Sequence, residues 1–192
     1  MELINNILNS RVYEQEYYEP NGQFSDKFIN KYNFLGMLVK AIQYDKNNKA
    51  CLKTNYYYKR KKRTKAINII DGKIFMTMKY IYKNYSDILL DKIMYYDSNN
   101  FNYGYSILQY DSKKWIGYEQ YHDEKKQTDN YIFIYDNNNK IINTLKNGEK
   151  QSSRIYNENG QLILIKMADG LNIVFKWEDK KSKYNVEQYL LY

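Results

Sequence analysis

One cysteine, one histidine, one proline and 8 glycines are all that 192 residues contain of these types. The lone Cys51 excludes an internal disulfide and any multi-cysteine zinc site. Turn-rich secreted folds usually carry disulfide staples, so a chain without them points to a reducing compartment. Residues 1–10 lack both a basic stretch and an apolar run long enough for a signal segment. No stretch approaches the roughly 18 apolar residues of a membrane-spanning helix. The resulting expectation is a cytoplasmic chain with no membrane partner. No linker rich in Pro, Ser or Gly interrupts the sequence, so residues 1–192 are expected to form one domain. There is no glycine-rich phosphate loop, no Gly-x-Ser-x-Gly elbow and no His-Glu-x-x-His. A non-catalytic chain without cofactor or metal is expected.

What the chain has in abundance is tyrosine, 24 residues of it. Many of these open a recurring phrase: an aromatic, Asp or Asn, small polar residues, then Gly, Asn or Lys before an apolar run. Copies are Tyr18-Glu-Pro-Asn-Gly22, Tyr44-Asp-Lys-Asn-Asn48, Tyr96-Asp-Ser-Asn-Asn100, Tyr110-Asp-Ser-Lys-Lys114, Tyr135-Asp-Asn-Asn-Asn139 and Tyr156-Asn-Glu-Asn-Gly160, with weaker ones at Tyr32, Tyr82 and His122. Asn, Asp and Gly tolerate positive φ and hydrogen-bond their own backbone, so each phrase reads as a hairpin turn. A turn roughly every 12 to 14 residues leaves about eight residues of strand between turns. The fold class expected is all-β: an antiparallel meander of roughly 10–14 short strands, either an open twisted sheet or barrel-like.

Local patterns refine this. Leu3, Ile4, Ile7 and Leu8 recur at helical spacing, which predicts a short capping helix within residues 1–10. Elsewhere the period is two. Ile74, Met76, Met78, Tyr80 and Tyr82 share one face of a strand, with Phe75, Thr77, Lys79 and Ile81 on the other. Leu171, Ile173, Phe175 and Trp177 form a similar apolar set, and a last strand is expected at about 183–191. Gln161-Leu-Ile-Leu-Ile165 and Tyr131-Ile-Phe-Ile-Tyr135 are apolar on both faces, as strands either central in a two-layer arrangement or lying against a partner would be.

The formal net charge of +8 is local. Lys53, Lys59, Arg60, Lys61, Lys62, Arg63 and Lys65 lie together with no acid among them. In this segment Tyr56, Tyr57 and Tyr58 interleave stacking rings with the cations, a combination single-stranded nucleic acid requires. Two other readings stand beside it: a solvated hairpin tip that blocks edge pairing, and a footprint for an acidic protein in which Lys59 and Arg60 steer the partner. His122-Asp123-Glu124 puts the imidazole beside carboxylates, but adjacent strand residues point to opposite faces, so His122 reads as a turn residue. Cys51 reads as a small buried hydrophobe. Asp97-Ser-Asn-Asn100 and Asp136-Asn-Asn-Asn139 lack the glycine and closing glutamate of a calcium loop.

The phrases Tyr17-Tyr-Glu-Pro-Asn-Gly-Gln-Phe24 and Arg154-Ile-Tyr-Asn-Glu-Asn-Gly-Gln-Leu-Ile163 resemble the repeats of the YD-repeat class of RHS-type proteins and of the MORN-like antitoxin family. Lys or Asn often replaces Gly here, and the spacing is irregular. The resemblance implies a β scaffold that binds a cognate toxin, as a bacterial immunity protein or antitoxin does. Tyrosine supplies contact area at low entropic cost. The binding candidates are therefore Tyr56, Tyr57, Tyr58, Lys59, Arg60, Lys61, Lys62 and Arg63, with Tyr103, Tyr105, Tyr118 and Tyr121 on the less apolar strand faces. A nucleic-acid-binding module centred on 55–65 is the alternative, and an enzyme with a site of scattered Asp, Glu and Tyr is the third.

Overall fold

The computed structural model describes residues 11–83, 89–122 and 126–178. Both the helix expected within 1–10 and the strand expected at 183–191 lie outside these residues. Fourteen antiparallel strands occupy most of what is described. They fall into two compact units.

The recurring phrase determines where strands end. Asp45, Asp97 and Asp136 each accept, through Oδ1, the N–H groups of the residues two and four positions on, at 2.8–2.9 Å. The fourth residue of each turn, Asn48, Asn100 or Asn139, stands at a φ of 59°, 63° or 61°. Gly36 and Gly160 take the same place behind Asn33 and Asn157. Asparagine and glycine pay little for this left-handed conformation, and the Asp carboxylate caps the turn that creates it. Other hairpins turn through two left-handed residues, as at Arg60–Lys61 and Asn147–Gly148.

Unit 1 comprises Met1–Lys53 and Arg154–Tyr192. It contains β1 (Arg11–Tyr18), β2 (Phe24–Tyr32), β3 (Leu38–Asp45), β13 (Leu162–Met167) and β14 (Asn172–Glu178). Strand β1 pairs with β2 on one side and, across nearly the whole sequence, with β14 on the other. An open meander would leave β1 and β14 as its edges. Their pairing corrects the open-sheet alternative, and the hydrogen-bonded order is that of a closed barrel. Val12, Leu162, Ile165 and Phe175 form the core of the unit, with Ile173 and Trp177 packed on it. The period-two set of β14 thus faces inward as expected.

Unit 2 is Thr54–Ser153. It holds most of β4 (Ala50–Lys59) and β12 (Glu149–Tyr156). Between them run β5 (Lys62–Ile70), β6 (Lys73–Tyr82), β7 (Leu90–Asp97), β8 (Asn102–Asp111), β9 (Lys114–His122), β10 (Lys126–Tyr135) and β11 (Ile141–Lys146). Each of β5 to β11 pairs with its sequence neighbour. Ala66, Met78, Tyr80, Ile93 and Leu108 form the core, with Met76 and Tyr82 packed against it. Phe75 and Ile81, the opposite set of β6, are 59% and 40% exposed. Gly117 is required by close approach, since a Cβ there would strike the Tyr131 carbonyl oxygen on β10.

Candidate binding face

Because side chains alternate along a strand, the inward row of unit 2 determines the outward one. The row Tyr80–Ile93–Ser106–Gln120 crosses β6 to β9 in register, and its first three members are buried. One residue along, Lys65–Lys79–Met94–Tyr105–Tyr121 crosses β5 to β9 in register on the opposite face. Four of its five members are lysine or tyrosine.

The rings and ammonium groups of this face hold one another. Tyr105 and Tyr121 stack with centroids 4.7 Å apart and planes 14° from parallel. Lys92, from β7 on the other side of Tyr105, puts its Nζ 3.8 Å from that ring's centroid. Tyr105 is therefore sandwiched between a ring from β9 and a cation from β7. The pattern repeats outward: Lys79 Nζ lies 4.1 Å from the Tyr96 ring and Lys65 Nζ 4.6 Å from the Tyr57 ring. At the far end the Tyr121 hydroxyl donates to Glu119 at 2.6 Å, and this bond raises its pKa. Gln109 donates to the other Glu119 oxygen at 2.8 Å.

The twelve candidates from the sequence divide sharply. Tyr105 and Tyr121 come together on the outward face, and Tyr57, 42% exposed, lies beside Lys65. Lys59, Arg60 and Lys61 are exposed at the β4–β5 tip, and Lys62 reaches over the Tyr82 ring at 4.9 Å.

The other five candidates sit inward or half-buried. Arg63 is 3% exposed: its guanidinium carbon lies 4.3 Å from the Tyr56 ring centroid, 5.5 Å from that of Tyr80 and 5.9 Å from that of Tyr58. It is an internal cation wrapped in rings, where a partner cannot reach it. Tyr56 packs on the core with it, and burial, opposed by the Arg63 charge, pushes its hydroxyl up to about 12. Tyr103 belongs to the inward side because the ladder shifts register between Tyr95 and Tyr96. Its ring lies 6.2 Å from that of Tyr95, its hydroxyl donates to Met76 Sδ, and burial raises its pKa. Tyr118 packs on the core and stacks on Tyr131 at 4.4 Å, with burial as the largest cause of its raised pKa. Tyr58 is half-buried beside Arg63.

Lys79, Lys92, Met94 and Tyr96 were not among the candidates. The alternation of β6 does put Lys79 opposite Met78, but sequence contains no signal for the cross-strand register that aligns it with Tyr105. His122 ends β9 in unit 2, paired with Gly104. Cys51, in unit 1, points its thiol at the Gln43 carbonyl oxygen, 3.6 Å away. Among the described residues no three His, Cys, Asp or Glu side chains are grouped as a metal site.

No family model matches the chain, and no curated protein sequence matches it. Among solved structures it is similar to a porin-like protein from Bacteroides uniformis ATCC 8492. There the identity is 11% and the TM-score 0.48, over 87% of this chain and 98% of that one. Two structures of TarM, one of them S. aureus TarM in complex with fondaparinux, α-GlcNAc-glycerol and UDP, match at TM-scores of 0.26 and identities of 17% and 18%. They cover 54% and 67% of this chain but 21% and 23% of TarM. Likenesses at these scores leave function to the chemistry of the face.

Proposed function

We propose that the chain is a non-catalytic binding module that holds a protein partner against the outward face of unit 2, in the manner of an immunity protein or antitoxin held against its toxin. The observation that carries this reading is the Tyr105–Tyr121 stack bracketed by Lys92. Tyrosines already locked by stacking give contact area with little further ordering, which is how a few aromatic anchors come to dominate an interface. The reading carries with it a cytoplasmic location, in which Cys51 stays reduced.

The same contacts weigh against the alternatives. A nucleic acid stacks its bases on ring faces, and here Tyr105 has a ring on one side and an ammonium on the other. A lipid-facing strand surface disfavours each lysine by about 2–4 kcal/mol at the bilayer midplane, and this face carries Lys65, Lys79 and Lys92. A second reading, single-stranded nucleic acid at the β4–β5 tip, draws on exposed Lys59, Arg60 and Lys61 beside Tyr57.

The test is growth rescue in the native host by the wild-type chain and by Tyr105→Ala/Tyr121→Ala against the toxin encoded beside it. Rescue that needs both rings supports the reading. Rescue untouched by the double variant, or a measurable turnover that vanishes in His122→Ala, overturns it.

A further inference from the structure

Resting on that reading, we infer that the partner surface met by this face is acidic, and that Lys65, Lys79 and Lys92 are the residues that read it. Lys65 and Lys79 stand directly opposite each other in the β5–β6 register. Like charges so placed destabilise a sheet. Neither register partner across β7 offsets them: Lys79 faces Met94, while Lys92 faces Ile81 and Ile107. A cost of this kind, retained within a fold, is relieved when carboxylates arrive from outside.

Geometry makes these lysines suited to that role. A free lysine side chain loses much of its rotamer freedom when it is ordered. Here each ammonium is already drawn to a tyrosine ring, at 4.6, 4.1 and 3.8 Å, which lowers the ordering still to be done on binding. Adjacent strands lie about 4.8 Å apart, so the three cations on β5, β6 and β7 form a patch roughly 10 Å across. Unit 2 as a whole carries 17 of the 30 Lys and Arg residues and 11 of the 22 Asp and Glu, so most of the net charge of +8 belongs to it.

The face is also polar along its length. Lysines occupy the β5–β7 end, and Glu119, holding the Tyr121 hydroxyl, marks the β9 end. Partner carboxylates are directed over β5 to β7. Uncharged partner surface is directed over Tyr105 and Tyr121. Such charge pairing speeds encounter and fixes orientation more than it adds affinity.

The experiment uses the full chain with fluorescent poly-L-glutamate as acidic probe and oligothymidylate as nucleic-acid probe, followed by anisotropy over a salt series. The row variant is Lys65→Gln/Lys79→Gln/Lys92→Gln. A charge-matched control is Lys73→Gln/Lys113→Gln/Lys150→Gln, three lysines exposed elsewhere in unit 2. We expect poly-glutamate binding at low salt that the row variant weakens at least tenfold and the control less than threefold. Thermal melts report folding, and Lys79→Gln by itself is expected to leave the melting temperature level or raised. Equal losses in row and control, tighter binding of oligothymidylate than of poly-glutamate, or no poly-glutamate binding overturn the inference. Growth rescue that survives the row variant but not Tyr105→Ala/Tyr121→Ala also overturns it while leaving the binding-module reading intact. Row-dependent poly-glutamate binding without any growth rescue supports the acidic surface and sinks the immunity reading instead.

Discussion

Tyr105 on β8 and Tyr121 on β9 stand directly opposite each other, their rings 4.7 Å apart and within 14° of parallel. Neither lies in a recurring turn phrase. The β8–β9 hairpin aligns them in two steps: its tip at Ser112, with φ of 57°, pairs Asp111 with Lys114, and a register shift between Gln109 and Tyr110 then moves the ladder by one residue, so that Tyr105 faces Tyr121 and not Gln120.

A double-mutant cycle on these two residues should give a coupling energy of about 0.5–1.5 kcal/mol, the usual range for an aromatic pair beyond its area burial. The measurement is urea unfolding of wild type, Tyr105→Ala, Tyr121→Ala and the pair. Additive losses would show that the rings do not stack in solution.

The basic segment should split into opposite responses. Arg63→Ala removes a side chain wrapped by Tyr56, Tyr58 and Tyr80 and should cost about 2–4 kcal/mol. Arg63→Met keeps the volume and removes the buried charge, so its cost should be well below that of alanine. Arg60 and Lys61 hold φ of 49° and 67°, a strain asparagine and glycine tolerate, so Arg60→Asn/Lys61→Gly should stabilise by about 1 kcal/mol. Equal destabilisation by all of these would contradict the burial of Arg63.

In unit 1, Lys176 Nζ lies 2.6 Å from both Glu14 and Glu16, and the Tyr18 hydroxyl donates to Glu16 at 3.0 Å. Burial pushes the Glu16 carboxyl up, but the bonds from Lys176 and Tyr18 outweigh it and hold the pKa below the usual value. A lowered native pKa contributes stability above the unfolded pKa and loses it as pH falls through the native one. The stability gap between wild type and Lys176→Met should therefore be full at pH 7 and shrink through the acid carboxylate range. A gap independent of pH would exclude the ionised pair as its source.

At the alkaline end, burial pushes Tyr56, Tyr95 and Tyr110 up to about 12. A raised native pKa means that the unfolded chain ionises first, so stability is intact below about pH 10 and is lost as pH climbs from there toward 12. Tyrosinate absorbance should show an early exposed class and a late class that appears together with loss of sheet signal by circular dichroism. Ionisation of all tyrosines near pH 10 with the sheet intact would contradict the packing of these rings.

Much of the architecture is legible residue by residue. Asp45, Asp97 and Asp136 announce turns because a carboxylate two bonds from the backbone can cap the N–H groups just ahead of it. Asn48, Asn100 and Asn139 mark the left-handed position that follows. Alternation in β6 and β14 reveals which side is apolar, since neighbouring strand residues must point opposite ways. These are local properties, and sequence by itself determined them. The tertiary structure decided what depends on pairing between distant residues. It joined β1 to β14, drew Arg63 inward among three rings while leaving Arg60 and Lys61 at the tip, and used one register shift at Tyr95–Tyr96 to send Tyr103 to the core side while Tyr105 stayed outside. Cross-strand register and bulges set those outcomes, and because the period of a strand is two, a single-residue slip exchanges an inward ring for an outward one.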